Sequence, residues 1–472
     1  MSSKFIFLES VDLLSTIPQY HILLGAFVLL WVIWLTIKRR YNTSQSPELS
    51  NDEMERKILN WQPEPLANPI ENKNHRALNP KQVTSRVGKR ITVDGKDCLN
   101  LGTHNYLGFL ESPEIEAKAI AAIEKYGVGS CGPRGFYGTV DVHLSLEEQL
   151  AKFMEMEEAI VYSYGFSTIA SAIPAYCKRR DLVFVDEKVH FAIQKGLDAS
   201  RSNTKYFKHN DVRDLKKLLS QQAEVDKRNP KKAAKTRRFL IVEGIYMNTG
   251  DICPLPGLVK LCREYKLRIF VDESISFGVL GKHGRGVTEH FGVPRHEIDM
   301  IMGSLDWAVA SIGGFCVGSS FIIEHQRLSG LGYCFSASLP PFLTSAATAA
   351  LEIMERKPEI FEKLKKNCLQ FDSGLRELTC FEVAGSSESP VRHLYLKNTS
   401  EHSDQLEILN LISNKCIENN IAVITPVYLE TEITVPRPSL RICISAVLEK
   451  DEIELALETI EKCSKAVLST SN

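Results

Sequence analysis

The chain has 472 residues, of which 44% are hydrophobic and 24% are charged, and its formal net charge is −1. This length supports more than one hydrophobic core, so we expect two domains and a tail. The charge argues against nucleic acid as a partner. None of the twelve cysteines forms a Cys-x-x-Cys pair, which argues against a zinc site or a disulfide framework and favours a reducing compartment.

The first element is an apolar stretch at residues 17–37 that contains no charged residue. At about 1.5 Å per residue it spans roughly 30 Å, the thickness of a hydrocarbon core. The basic run Lys38–Arg40 follows, so the positive-inside rule places the large C-terminal part in the cytosol. We predict a lumenal segment 1–16 and one transmembrane helix 17–37, with the endoplasmic reticulum as the favoured membrane. A cleaved signal peptide and a buried soluble helix are the alternatives.

Residues 38–89 are predicted to be a linker and an extended arm. A polar stretch leads into a short helix near Asn51–Trp61, and the three prolines of Trp61–Pro69 exclude regular helix there. The arm either lies on a partner or on the body of the protein, or it is a plain linker.

The alternation of apolar runs with amphipathic helical patterns predicts two further domains. Residues 90–340 are expected to form a large α/β domain with a mostly parallel sheet, helices on both faces and a ligand site at the carboxyl ends of the strands. Residues 341–472 are expected to form a smaller α+β domain. The strands predicted for the large domain are Ala159–Tyr164, Leu182–Asp186, Phe239–Glu243, Arg268–Asp272 and Met300–Ser304.

Five motifs follow one another between Asn105 and Pro341. They read NYLG (105–108), GVGSCGPRGFYGT (127–139), VEGIYMNTGDICPL (242–255), FVDESISFGVLGKHGRG (270–286) and FSASLPP (335–341). Each alone is weak, but in this order the chain resembles the α-oxoamine synthases from about Cys98 to its C-terminus. The resemblance implies a fold-type-I fold and the condensation of an amino acid with an acyl-CoA on pyridoxal phosphate (PLP).

The resemblance fails at the lysine that would bind the cofactor. In that family a lysine before a Gly-Gly pair forms a Schiff base with PLP. Residues 299–314 read DMIMGSLDWAVASIGG, and counting back from Gly313 and Gly314 places Trp307 in the lysine position. Because indole has no amine that could form an imine, we expect no PLP bound covalently to this chain.

The resemblance assigns further roles around this position. Ile275 stands where a histidine would reach the phenolic oxygen of the cofactor. Asp306 stands where a hydroxyl would contact its phosphate, which the carboxylate would repel. Asp272 matches the partner of the pyridine nitrogen and His190 the histidine stacked on the ring, and both are expected to be vestigial core groups here. Arg441, which matches an arginine for the substrate carboxylate, is expected to be structural.

Groups that act across a subunit interface are retained. The resemblance implies that Ser336 and Ser338 reach the phosphate of a partner's PLP, and that Cys131, Gly132 and Arg134 lie at the interface. Cys131 is either a small packing residue near the shared site or an ordinary buried cysteine. Arg134 either positions a substrate carboxylate or CoA phosphate or forms a structural salt bridge.

The chain lacks groups that would act on a cofactor of its own and retains groups that would act on the cofactor of a partner. This combination predicts a non-catalytic subunit. We also expect no metal. The resemblance implies a heterodimer with a lysine-bearing homologue that holds PLP and converts L-serine and palmitoyl-CoA to 3-ketosphinganine, the first step of sphingolipid biosynthesis. It also implies a small activating membrane subunit and Orm-type regulators as partners. The alternatives are an active homodimer whose lysine lies elsewhere, with Lys282 nearest, and a purely structural or regulatory membrane scaffold.

Overall fold

The computed structural model describes residues 19–44, 50–67, 77–130, 132–397, 402–429 and 431–470. The chain divides into two compact units, residues 1–74 and 75–472. The predicted lumenal segment 1–16 and the first two residues of the predicted membrane helix lie outside the described residues.

The described residues of the first unit include the helices α1 (Gln19–Ser44) and α2 (Asn51–Asn60). The short helix predicted near residue 51 is confirmed, and a capping box explains its start: Glu53 N–H donates to Ser50 Oγ, and Ser50 N–H donates to the Glu53 carboxylate. Within the described part of the chain, no helix is long and apolar enough to cross a membrane. The predicted transmembrane span is therefore not confirmed.

The described residues of the second unit form three sheets. Its strands in chain order are β1 (Arg90–Val93), β2 (Lys96–Asn100), β3 (Glu158–Tyr162), β4 (Leu182–Asp186), β5 (Asn203–Phe207), β6 (Arg238–Glu243), β7 (Arg268–Asp272), β8 (Met300–Ser304), β9 (Gly314–Gly318), β10 (Phe381–Ala384), β11 (Val391–Leu396), β12 (Ile421–Ala422) and β13 (Leu440–Cys443). The central sheet has the order β3-β9-β8-β7-β6-β4-β5, and β9 runs antiparallel to both of its neighbours. The other pairings are parallel. The predicted mostly parallel sheet is thus confirmed, with one antiparallel strand inserted.

The second unit also contains helices, some on the central sheet and others on the smaller sheets or on one another. They are α3 (Pro113–Tyr126), α4 (Asp141–Met154), α5 (Gly165–Tyr176), α6 (Phe191–Ser200), α7 (Val212–Arg228), α8 (Pro230–Ala233), α9 (Leu255–Tyr265), α10 (Val287–His290), α11 (Ser320–Ser329), α12 (Leu331–Cys334), α13 (Pro341–Arg356), α14 (Glu359–Arg376), α15 (His402–Glu418) and α16 (Lys450–Thr470). Strands β4 and β8 are buried along their whole length, as expected for strands covered on both faces.

The two smaller sheets connect distant parts of the chain. β10, β11 and β13 form an antiparallel sheet. The β1–β2 hairpin is extended by β12, which runs parallel to β2. The hairpin from the start of the predicted large domain therefore pairs with a strand from the predicted small domain, and the boundary at 340/341 stays a prediction.

Candidate functional site

A cavity of about 720 Å³ lies at the carboxyl ends of the central strands, within the size range of small-molecule sites. It brings together residues from distant parts of the sequence, including His190, Asp306, Trp307 and Arg441. This is the edge of the sheet at which the sequence predicts a ligand site.

Trp307, in the position expected for lysine, is half-buried and stacks on His104 with ring centroids 5.0 Å apart and an interplanar angle of 29°. His104 Nδ1 lies 2.6 Å from the hydroxyl of the fully buried Tyr106. Burial, with a smaller contribution from Arg441, holds the pKa of His104 well below its usual range, while burial raises the pKa of Tyr106. The imidazole is therefore neutral and shares a hydrogen bond with the Tyr106 hydroxyl. The sequence motifs gave no sign of the role of His104.

Other lysines do not replace the missing one. Lys282 is exposed and is not among the residues that line the cavity. Among the described residues that do, the one lysine is Lys81, and its Nζ lies 3.6 Å from Asp94 Oδ2 in an ion pair. The arrangement of these residues does not favour the active homodimer.

Asp272 and His190 form a hydrogen-bonded pair within the chain. Asp272 is buried at the end of β7, and its Oδ2 lies 2.5 Å from His190 Nε2. Its Oδ1 accepts a hydrogen bond from Ser274 N–H at 2.9 Å. Because Ala192 N–H donates to His190 Nδ1, Nε2 carries the proton that is donated to Asp272. Both carboxylate oxygens thus have partners within the chain, and the neighbouring Ile275 is fully apolar and buried.

Asp306 is also held within the chain. Ser304 Oγ donates to its Oδ2 at 2.7 Å, and Gly313 N–H donates to its Oδ1 at 3.1 Å. Burial raises the pKa of Asp306, and these two hydrogen bonds act in the opposite direction. The carboxylate faces the first residue of α5, since a Cβ built on Gly165 would lie 2.9 Å from Asp306 Oδ2.

The residues of this pocket do not fit PLP. The lysine position holds an indole, the carboxylate for the pyridine nitrogen is engaged with His190, and a carboxylate lies where the phosphate would be received.

The two segments predicted at a subunit interface lie against each other. Ser338 N–H donates to Gly132 O at 3.0 Å, and Ser338 Oγ donates to Gly138 O at 2.6 Å. Ser130 Oγ donates to the carbonyl of Ser338 at 2.9 Å. Ser338 is buried, and Ser336 Oγ donates to Gly332 O. Both predicted trans donors are therefore engaged inside this chain. The Ser338 contacts join two loops that are distant in sequence, which sequence spacing cannot show.

Arg134 lies beneath the same surface. It is buried and donates to both oxygens of Glu147 at 2.9 and 3.1 Å. This is the structural salt bridge that the sequence left open as one of two alternatives. Arg441 donates from Nη2 to Gly102 O at 3.2 Å, and its buried Nε has no partner among the described residues. Cys131 lies outside the described residues.

The turn above Arg134 presents aromatic side chains to solvent. Phe136 is 65% exposed, and Tyr137 is 99% exposed with a φ of 64°. The neighbouring helix α12 contacts this turn, and Leu331 and Phe335 beside it are also exposed. An exposed apolar patch of this kind is typical of a protein interface.

Comparisons with known proteins agree with this fold. A family model described as aminotransferase class I and II matches residues 96–460. A solved serine palmitoyltransferase from S. paucimobilis with a bound PLP–myriocin aldimine is similar with a TM-score of 0.74 and 27% identity, covering 82% of this chain and 93% of that chain. The chain therefore has the fold-type-I architecture of the class I and II aminotransferases.

Sequence relatives define the family more narrowly. Serine palmitoyltransferase 1 of Dictyostelium discoideum is 40% identical over 468 residues, covering 97% of this chain and 96% of the relative. Long chain base biosynthesis protein 1 of Arabidopsis thaliana is 41% identical over 397 residues, covering 84% and 81%. The chain belongs to the serine palmitoyltransferase 1 family, also called long chain base biosynthesis protein 1.

Proposed function

We propose that this chain is the non-catalytic subunit of a serine palmitoyltransferase. It pairs with a lysine-bearing homologue that holds PLP and condenses L-serine with palmitoyl-CoA, releasing carbon dioxide and CoA to give 3-ketosphinganine. The observation that carries the proposal is Trp307, packed on His104 in the lysine position.

The partner-facing surface supports a contribution in trans. Ser338 joins the glycine-rich loop to the FSASLPP segment, and the buried Arg134–Glu147 pair supports the loop from below. The glycine-rich loop, held in this way, presents Phe136 and Tyr137 to solvent. We propose that this surface contacts the catalytic partner and shapes its active site, so that Ser338 acts by positioning the loop.

The membrane anchor belongs to the same proposal. The uncharged run 17–37, followed by Lys38–Arg40, supports a single span in the endoplasmic reticulum membrane with the large part of the chain in the cytosol. A small activating membrane subunit and Orm-type regulators complete the proposed assembly.

The proposal is tested by expressing the full chain alone and together with a lysine-bearing homologue. Product formation from serine and palmitoyl-CoA, and PLP fixed by borohydride reduction, are expected only for the pair, with the label on the homologue. Label and turnover from this chain alone would overturn the proposal.

A second comparison separates a trans contributor from a scaffold. Ser338→Val removes the hydrogen bond to Gly138 O and adds bulk where the FSASLPP segment contacts the glycine-rich loop. Ser336→Val is the matched control in the same segment. If this chain shapes the site, the Ser338 variant assembles but loses turnover or changes its preference between serine and alanine. Wild-type kinetics from an assembled Ser338→Val complex would instead identify a scaffold.

A further inference from the structure

The carboxylate of Asp306 lies at the beginning of helix α5. This helix runs for 12 residues from Gly165 to Tyr176, and its N-cap residue Tyr164 offers no side-chain hydrogen bond to it. The first backbone N–H groups of a helix lack intrahelical acceptors and carry a partial positive charge, so an anion is favoured there. The nearest atoms to a Cβ built on Gly165 are Ser304 Oγ at 2.8 Å and Asp306 Oδ2 at 2.9 Å.

The sheet fixes the carboxylate in this place. Asp306 follows the end of β8, and Gly313 precedes β9, the neighbouring strand. Ser304 Oγ donates to one oxygen and Gly313 N–H to the other. Asp306 N–H in turn donates to Ser304 Oγ at 3.1 Å. Both oxygens are thus held by groups at the ends of two paired strands.

We propose that the Asp306 carboxylate is a resident anion that replaces the cofactor phosphate at the N-terminus of α5 and excludes phosphate-bearing ligands from this chain's pocket. The inference rests on the proposed function, because it explains how the non-catalytic subunit stays free of cofactor. It also goes further, since the Asp306 carboxylate would be a second obstacle to cofactor binding, in addition to the missing lysine. A phosphate dianion and a fixed carboxylate a few ångströms apart repel each other strongly in a partly buried site.

The first test measures ligand binding by the co-purified complex of this chain and its lysine-bearing homologue. The probe is pyridoxine 5′-phosphate, which has the phosphate but no aldehyde and so does not exchange with the cofactor that the homologue holds covalently. Asp306→Asn keeps the shape and removes the charge. Glu432→Gln is the matched control, because Glu432 lines the same cavity but is not one of the atoms nearest to Gly165.

Titration calorimetry is expected to show binding at least tenfold tighter for Asp306→Asn than for wild type, with no change for Glu432→Gln. Equal affinities for all three proteins would overturn the proposal. Equal gains for both variants would overturn it too, because the net charge of the cavity would then be the cause.

A second test does not depend on Asp306→Asn folding well. Trp307→Lys and the double variant Asp306→Thr, Trp307→Lys are prepared as complexes, incubated with PLP, reduced with borohydride and mapped by peptide mass. Labelling at position 307 is expected to be at least tenfold higher in the double variant. Equal labelling in the two proteins, or none in either, would overturn the role of Asp306. If wild type carries label on another lysine of this chain, the proposed function itself fails, which is a separate outcome.

Discussion

The indole of Trp307 lies on the imidazole of His104, with ring centroids 5.0 Å apart. The residue that we propose stands in the lysine position of the α-oxoamine synthases is therefore one half of a stacked aromatic pair. Tyr106 extends this contact by its short hydrogen bond to His104, so three side chains from two distant segments form one packed group.

Substitution of His104 is expected to destabilise the protein. His104→Ala removes the stack, worth about 0.5–1.5 kcal/mol, and leaves the buried Tyr106 hydroxyl without its partner at a cost of about 1–3 kcal/mol. We expect a total loss of about 1.5–4.5 kcal/mol in the free energy of unfolding, measured by urea denaturation. His104→Phe keeps the stack and loses only the hydrogen bond. Its free energy of unfolding should therefore lie between those of wild type and His104→Ala. Equal stability of the alanine variant and wild type would contradict the importance of the pair.

Removal of Arg134 is expected to act on stability rather than on substrate affinity. Arg134→Met leaves Glu147 buried without its bidentate partner, while Arg327 Nη1 stays 3.6 Å from Glu147 Oε2, so the cost should be at most that of a fully broken buried pair, about 3–5 kcal/mol. The double variant Arg134→Met, Glu147→Met should recover much of this loss, because no buried charge remains. In complexes that still assemble, the KM for palmitoyl-CoA is expected to stay unchanged. A selective rise in that KM would instead support the substrate-binding alternative for Arg134.

Loss of the Ser338 hydroxyl is expected to loosen the interface loop. Ser338→Ala leaves the Gly138 carbonyl without this donor and should cost about 1–2 kcal/mol. Turnover of the assembled complex should fall together with the melting temperature. Ser336→Ala, whose hydroxyl donates to a carbonyl within its own short helical segment, is expected to have the smaller effect on turnover. The reverse order would contradict the positioning role of Ser338.

His209 predicts a pH dependence of stability. Its Nδ1 lies 2.9 Å from Asp186 Oδ1 and its Nε2 3.2 Å from Asp251 Oδ2. Burial alone would lower the pKa of His209, but the two carboxylates raise it from 6.5 to about 9. Because the folded pKa lies above the unfolded one, the stabilisation is fully present below about pH 6.5 and disappears as pH rises through about 9.

The measurement compares wild type with His209→Gln across that range. The difference in unfolding free energy should be larger by about 3 kcal/mol at pH 6 than at pH 10, from roughly 2.5 pKa units at 1.36 kcal/mol each. Asp251→Asn should reduce the slope. A difference that does not depend on pH would show that His209 is neutral in the folded protein.

The five predicted strands of the large sheet are all present, because long apolar runs are required for strands covered on both faces. Two strands were missed. β5 reads NTKYF and carries polar residues because it lies at the edge of the sheet, and β9 begins and ends with glycine. Neither pattern resembles a buried strand.

In the candidate site, too, the sequence predicts some features and not others. The assignment of Trp307 to the lysine position rests on counting from a glycine pair, because a motif fixes local spacing, and it stays a prediction. The partner of Trp307 could not be predicted, since His104 is far away in sequence and no local pattern indicates a stack. Ser338 was predicted to donate outward, whereas it donates to Gly138, because spacing along the chain does not show which loops meet.

Under the proposed function, the stacked pair also bears on how readily the chain could gain catalysis. A lysine at position 307 would leave His104 without the ring it packs against, and Asp306 would still occupy the beginning of α5. Each of these changes would cost stability before any activity appeared. In the proposed heterodimer, packing as well as the identity of one residue would therefore keep the two subunits in separate roles.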